Sequence, residues 1–305
     1  MRIEALGVTR RYGRLTALDG VSFELAPSSR VALVGPNGSG KSTLNRILMG
    51  LIACEGSVRI DGRCPFRERV SLARELAYVP QIAPQLAAPV GEIVRAIVRV
   101  RALEPDALTR VARELDLELA PIASRPFRSL SGGTKQKLLI ALALASGASL
   151  LILDEPTGSL DARARERFFT LFDALAPEVT LVLCSHRLDE IRPLVDHVLL
   201  LDDGRVAYDG PAGAFLDRCA LATIDVQADG EEAAAWLLAR GFRRTPAGGW
   251  RRTVDHAEKM KLLPELSREL GPRLRNLCAR DLESLDLGVA GAGADGAGAG
   301  GTGDV

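Results

Sequence analysis

The sequence carries no excess charge of either sign. Lysine plus arginine and aspartate plus glutamate each number 39 in 305 residues, for a formal net charge of zero. That balance gives no support to a nucleic-acid-binding surface. The five cysteines, Cys54, Cys64, Cys184, Cys219 and Cys278, are odd in number and widely spaced, with no CxxC pair. They argue against a disulfide frame or a zinc site and read as reduced thiols in a reducing compartment. A long hydrophobic run is missing as well. The longest apolar stretch, Leu138 to Leu153, falls short of the roughly 18 to 20 residues that span a bilayer and is interrupted at Ser146-Gly147-Ala148-Ser149. It reads as a buried helix, a turn and a buried strand, so any membrane work would belong to a separate subunit. Met1 to Leu6 has neither a signal-peptide core nor a transit-peptide composition, which leads us to expect folding in the cytoplasm. Hydrophobic content of 47% and charged content of 26% suit an ordinary globular chain, long enough for one large or two modest domains.

What is present is a glycine loop, Gly35-Pro36-Asn37-Gly38-Ser39-Gly40-Lys41-Ser42-Thr43, preceded by the apolar run Val31 to Val34 and followed by the helix-like Leu44 to Met49. Glycine lets the backbone curl until successive N–H groups point at one anion, and a following helix adds its positive dipole end. Lys41 supplies a point charge for the β- and γ-phosphates, and Ser42 a hydroxyl for the accompanying magnesium ion. The strand before and the helix after make nucleotide binding the reading of this loop rather than an incidental turn.

Upstream, residues 1 to about 30 alternate apolar and polar, as antiparallel strands do. Tyr12, in Arg10 to Arg14, is either a face for adenine or a turn tyrosine. Downstream, Gly56 to Gly62 and Leu76 to Pro80 read as strands. Gln81, at the end of the second, could reach a metal or its water, or be solvated. Two amphipathic segments, Val90 to Leu103 and Asp106 to Leu119, are separated by Glu104-Pro105 and form a helical lobe. Leu130-Ser131-Gly132-Gly133 precedes an apolar helix. Ser131 reads as its N-cap, and Gly132 and Gly133 leave N–H groups uncovered, either as a plain capped loop or as a second anion site.

Leu150 to Leu153 is a buried strand ending on Asp154-Glu155-Pro156. Two carboxylates there are costly unless they meet metal, water or cations. Beside a phosphate loop, Asp154 can bind magnesium while Glu155 activates the attacking water. Gly158 to Asp161 leads into a helix with Phe168, Leu171, Phe172 and Leu175 on one face. A strand from Val179 to Leu183 then reaches Ser185-His186, where the histidine could touch a γ-phosphate or be a satisfied surface residue.

Taken in order, the loop at 35–43, Tyr78 to Gln81, Leu130 to Gly133, Leu150 to Pro156, Ser159 to Asp161 and Ser185-His186 resemble the nucleotide-binding domain of ABC (ATP-binding cassette) transporters over about 215 residues. The resemblance implies an α/β fold, a P-loop NTPase cassette with a mixed sheet core, an antiparallel β subdomain and a helical lobe inserted at about 86–140. It implies ATP and Mg2+ as ligands, with Tyr12 stacking on adenine, residues 35–43 on the phosphates, and Ser42, Gln81 and Asp154 at the metal. Glu155, His186, Lys41 and Gln81 would carry the hydrolysis. Ser131, Gly132 and Gly133 would cap the ATP of a partner cassette, and Asp161 would communicate across that dimer. Gly158-Ser159 departs slightly from the family order, a change not expected to impair hydrolysis.

The cassette is expected to span residues 1–218. From 219 to 287 the order strand, helix, two strands, helix, strand suggests a small α+β domain, possible as a ferredoxin-like one, with packing or dimer support favoured over a regulatory ligand role. Asp281 to Leu285 resembles the short acidic-apolar helix of exporter-type ATP-binding subunits, and 288–305, nearly all glycine and alanine, reads as a disordered tail. The expected function is that of an ATP-hydrolysing subunit, peripheral on the cytoplasmic face of the membrane. It would pair with a second cassette and drive a separate permease, with export favoured and no nucleic-acid partner. The alternative is a soluble ABC ATPase acting on ribosomes or nucleic acid.

Overall fold

The structure is a computed structural model that describes residues 1–281 except Pro105, Pro177, Ala220, Pro246 and Ala247. Apolar alternation produces the first strands. β1 (Ile3–Tyr12) and β2 (Leu15–Leu25) pair antiparallel and bury Ile3, Ala5, Val8, Val21, Phe23 and Leu25, while Ser22 and Glu24 face outward. β3 (Arg30–Val34) buries four consecutive residues, as a strand covered on both faces must. The glycine loop and α1 (Lys41–Leu48) follow, and β4 (Glu55–Ile60) returns to pair with β1, closing a three-stranded sheet of order β2-β1-β4.

After α2 (Arg69–Leu72) and β5 (Leu76–Val79) the chain leaves the sheet region for a helical lobe made of α3 (Val90–Arg101), α4 (Ala107–Glu114) and α5 (Gly132–Ala145). It re-enters with β6 (Leu150–Asp154), α6 (Ala162–Leu175), β7 (Thr180–Cys184), α7 (Leu188–Leu194), the hairpin β8 (His197–Asp202) and β9 (Arg205–Pro211), then α8 (Ala212–Cys219). The central sheet has the order β5-β6-β7-β3-β8-β9, parallel throughout except for β9. The carboxyl ends of β6, β7 and β3 are therefore neighbours on one edge, where ligands of open α/β sheets bind.

Two cores share this sheet. Leu151, Leu153, Leu181 and Leu183 face Phe127, Phe168 and Phe172 on the side of the helical lobe, whereas Leu150, Ile152 and Val182 face Leu18, Leu44 and Ile60. Each fully buried phenylalanine or leucine contributes about 1.5–3 kcal/mol, and a one-residue slip of a strand would exchange the two faces. Leu175, expected on the buried face of α6, is 47% exposed because it is the last residue of that helix.

The chain divides into two compact units between Leu216 and Asp217. The second contains β10 (Leu221–Ala228), α9 (Glu231–Ala239), β11 (Arg243–Arg244), β12 (Trp250–Asp255), α10 (His256–Leu270) and β13 (Leu274–Asp281). Its sheet has the antiparallel order β11-β12-β10-β13 around Ile224, Val226, Leu237, Phe242 and Leu266. β11 is only two residues long. Phe242 turns into the core, and Thr245 closes the turn by donating its N–H to Gly249 O at 2.8 Å. Asp281 closes a strand instead of opening the acidic-apolar helix. The rest of that segment and residues 288–305 lie outside the described residues.

Candidate functional site

The loop after β3 is shaped by what surrounds its glycines. A Cβ on Gly35 would lie 2.2 Å from Leu201 O and 2.5 Å from Ser39 Oγ, and one on Gly40 would lie 2.4 Å from Ala17 O. Gly38 and Gly40 also have φ of +88° and +103°, which L-residues rarely adopt. Inside this cradle Lys41 Nζ donates to Gly35 O at 2.7 Å and to Pro36 O at 3.0 Å, so the ammonium is folded onto the loop it serves. Pro36, Asn37, Gly38 and Ser42 are exposed, while Ser39 and Thr43 are buried beneath them. Ser39 Oγ has no hydrogen-bond partner. No side chain caps α1, which leaves its first N–H groups open to an anion.

Two strands away, β6 delivers Asp154 and Glu155. Burial raises the Asp154 pKa and the neighbouring Glu155 charge raises it further, against weaker lowering by Tyr78 and Lys41. This carboxylate is short of positive charge, a condition a bound cation relieves. Tyr78, on β5, donates its hydroxyl to Asp154 Oδ2 at a long 3.4 Å. Its own pKa is pushed up to about 12, first by burial and then by Asp154. Glu155 adopts φ +45° and is pinned there by its N–H to Cys184 O at 2.8 Å, a bond between the ends of β6 and β7. That turn aims its carboxylate at the next loop, where Oε1 lies 2.6 Å from His186 Nδ1 and accepts the His186 backbone N–H at 3.3 Å. Glu155 is 14% exposed and His186 59%, so the pair opens outward through the histidine.

The other predicted residues occupy separate places. Ser131 caps α5, with Oγ accepting Thr134 N–H at 3.2 Å. A Cβ on Gly133 would lie 3.0 Å from Ser159 O, and one on Gly132 would lie 3.7 Å from Ser159 Oγ. The neighbours of these two glycines are thus in the turn before α6, whereas those of Gly35 and Gly40 are Leu201, Ser39, Ala17 and Leu18. Asp161 caps α6 by accepting Ala164 N–H at 2.8 Å. Gln81 is exposed two residues past β5. Tyr12 ends β1 at 41% exposure, with the Arg10 guanidinium 4.9 Å from its ring centre.

Residues 18–158 match the family model described as ABC transporter. A nickel import ATP-binding protein of Rhodobacter capsulatus is 35% identical over 241 residues, covering 72% of this chain and 92% of that protein. The chain belongs to the ABC transporter ATP-binding family. It is an ABC-type ATPase. A ribose import ATP-binding protein of Rubrobacter xylanophilus is 38% identical over 222 residues, 68% of this cassette chain and 43% of that protein. Among solved structures, a bacterial Atm1-family ABC exporter with ATP bound superposes with a TM-score of 0.65 at 29% identity over 80% of this chain and 42% of that one. The chain thus spans less than half the length of these last two relatives, and importers and exporters both stand among its kin.

Sequence reasoning missed three parts of the cassette's site. Tyr78 stood in a recognised motif without a role, although strand parity sets it opposite the buried Ala77 and Val79. The buried Thr157 and Glu190, and the Cys184 carbonyl that holds Glu155, gave no signal, because their partners are set by strand order.

Proposed function

We propose that the cassette binds ATP·Mg2+ as half of a site and hydrolyses it when a second cassette supplies the other half. The glycine cradle and open start of α1 fit a triphosphate, with Lys41 released from the Gly35 and Pro36 carbonyls onto the β- and γ-phosphates and Tyr12 offering a face to adenine. Among the described residues no three of His, Cys, Asp and Glu cluster to hold an ion alone. Ser42 and Asp154, with Gln81 reaching in, supply hard oxygen donors that suit Mg2+ shared with phosphate oxygens. Bound there, the ion would neutralise charge on the phosphates during transfer.

Glu155 accepts a proton from the attacking water as its oxygen bonds to the γ-phosphorus and the bond to ADP breaks. His186, already paired with that carboxylate, orients it and reaches the γ-phosphate. Ser131, Gly132 and Gly133 would close over the ATP of the partner cassette. Closure and reopening of this dimer would drive an integral membrane permease, with the cassette peripheral on its cytoplasmic face. No helix among the described residues is long and apolar enough to cross a membrane. Relatives named for import and for export fit a motor whose ATP chemistry is the same in both directions.

The observation that carries this reading is the Glu155–His186 pair at 2.6 Å on the edge shared with the phosphate loop. Glu155→Gln should keep ATP binding and lower hydrolysis by about 10²–10⁴-fold. Turnover near the parent rate would exclude Glu155 as the base.

A further inference from the structure

Among the described residues Glu190 is the one carboxylate side chain with zero exposure, and the hydrolytic reading does not use it. It projects from α7, and its Oε1 accepts a hydrogen bond from the hydroxyl of Thr157, which is also fully buried. Its Oε2 is buried without a hydrogen-bond partner, and the Arg187 guanidinium, three residues before it, stands 4.0 Å from Oε1. A carboxylate in this state is costly to keep in an interior where a leucine would pack.

Its position points to a use. Thr157 is two residues past Glu155, in the turn that leads to Ser159 and α6, and Glu190 is four residues past His186. One side-chain hydrogen bond therefore ties the turn bearing the base to the segment bearing the histidine. Beside it stand the Glu155 carboxylate's own contacts with His186 and the bond from Glu155 N–H to Cys184 O at 2.8 Å, while Gly158 N–H to Glu155 O at 3.2 Å and Leu160 N–H to Thr157 O at 2.9 Å close the turn on itself. Glu155 holds φ +45°, and such a conformation persists only where the surroundings over-determine it. Electrostatics agree with the placement. Burial raises the Glu190 pKa, hydrogen bonds from Ser185 and Thr157 oppose the rise, the Glu155 charge adds to it, and the Arg187 charge lowers it.

We propose that Glu190 is a positioning residue for ATP hydrolysis: by accepting the Thr157 hydroxyl it fixes the turn of Glu155 against the loop of His186 and sets the approach of both to the attacking water. This rests on the roles given above to Glu155 and His186. It requires an acceptor at 190 and a donor at 157, not a charge.

The test measures kcat and KM for ATP with Mg2+ on the full chain carrying Thr157→Val, Glu190→Gln or Glu190→Leu, each with a melting curve. Thr157→Val and Glu190→Leu should lose about 10–100-fold in kcat, the scale set by misplacing a catalytic group by an ångström or less, with KM within about twofold. Glu190→Gln, whose amide oxygen still accepts from Thr157, should stay within about threefold of the parent. Should Glu190→Leu not fold, Thr157→Val, which keeps the shape of the side chain, decides. Parent kcat in Thr157→Val, a loss expressed in KM alone, or a loss in Glu190→Gln equal to that in Glu190→Leu would each overturn the proposal. Glu155→Gln assayed alongside separates the two readings. If it is inactive while Thr157→Val is normal, only the role of Glu190 fails; if it is active, the role of Glu155 fails first.

Discussion

Replacing Gly40 by alanine tests how tightly the phosphate loop is built. The new Cβ would sit 2.4 Å from Ala17 O and 2.6 Å from Leu18 Cδ2, so the loop must retreat by about 0.6 Å to reach the 3.0 Å that real Cβ atoms keep. The Ala17 carbonyl belongs to β2 and the Leu18 side chain to the core, so neither yields as a flexible surface chain would. A retreat of that size stretches a phosphate hydrogen bond from about 2.9 Å to about 3.5 Å, beyond useful range. One lost charge-assisted bond is worth about 1.5–3 kcal/mol, or about 10–150-fold in ATP affinity. The unfavourable φ adds about 1–3 kcal/mol of destabilisation and the overpacking about 1–3 kcal/mol. Gly38→Ala is the matched control, since Gly38 also has positive φ, at +88°, but has nothing within 4 Å of its Cβ. Calorimetric unfolding without nucleotide should therefore rank Gly40→Ala below Gly38→Ala by the overpacking contribution, and titration with ATP·Mg2+ should give the affinity loss for Gly40→Ala. Equal melting temperatures for the two variants would refute the close approach as the reason for glycine at 40.

Ser131→Ala removes the acceptor of Thr134 N–H at the start of α5; it should destabilise the cassette by about 1 kcal/mol, seen as a fall of about 2–4 °C in melting temperature, and an unchanged melt would contradict the cap. Glu190 has a pKa raised from 4.5 by burial, so its stabilising contribution is full below that value and is lost as pH rises through the folded pKa. Melting of Glu190→Gln, which does not titrate, should shift in favour of the variant relative to the parent as pH rises from 4.5 towards neutral, and a difference flat with pH would oppose this. Because the units divide between Leu216 and Asp217, a chain ending after α8 should bind ATP within about twofold of the full chain; a collapse of ATP binding would make the second unit part of the cassette's fold.

Much of the cassette was legible in the sequence because its parts are local. Glycines at 35, 38 and 40 after four apolar residues specify strand, loop and helix on their own, and unbroken runs such as Leu150 to Leu153 mark strands buried on both faces. Ser131 caps its helix by accepting the N–H of Thr134, three residues on, a range that spacing captures. The contacts that finish the site are not local. Tyr78 meets Asp154 across 76 positions, and Thr157 meets Glu190 across 33, through the order β5-β6-β7. That order follows from tertiary packing, so no pattern within one segment announces it. The short β11 has the same cause, since Phe242 packs into the core in place of extending the hairpin.

In the proposed sandwich the phosphate loop, Asp154 and Glu155 form one side of an ATP site and Ser131 to Gly133 of a second cassette form the other. This arrangement is tested most directly by the mass of Glu155→Gln in solution, measured by light scattering on a sizing column with and without ATP·Mg2+. Without nucleotide the variant should run as a monomer and, at saturating ATP, as a particle of twice that mass that reverts when Ser131 is also replaced by arginine. A protein that remains monomeric at every ATP concentration, while still binding ATP, would contradict it.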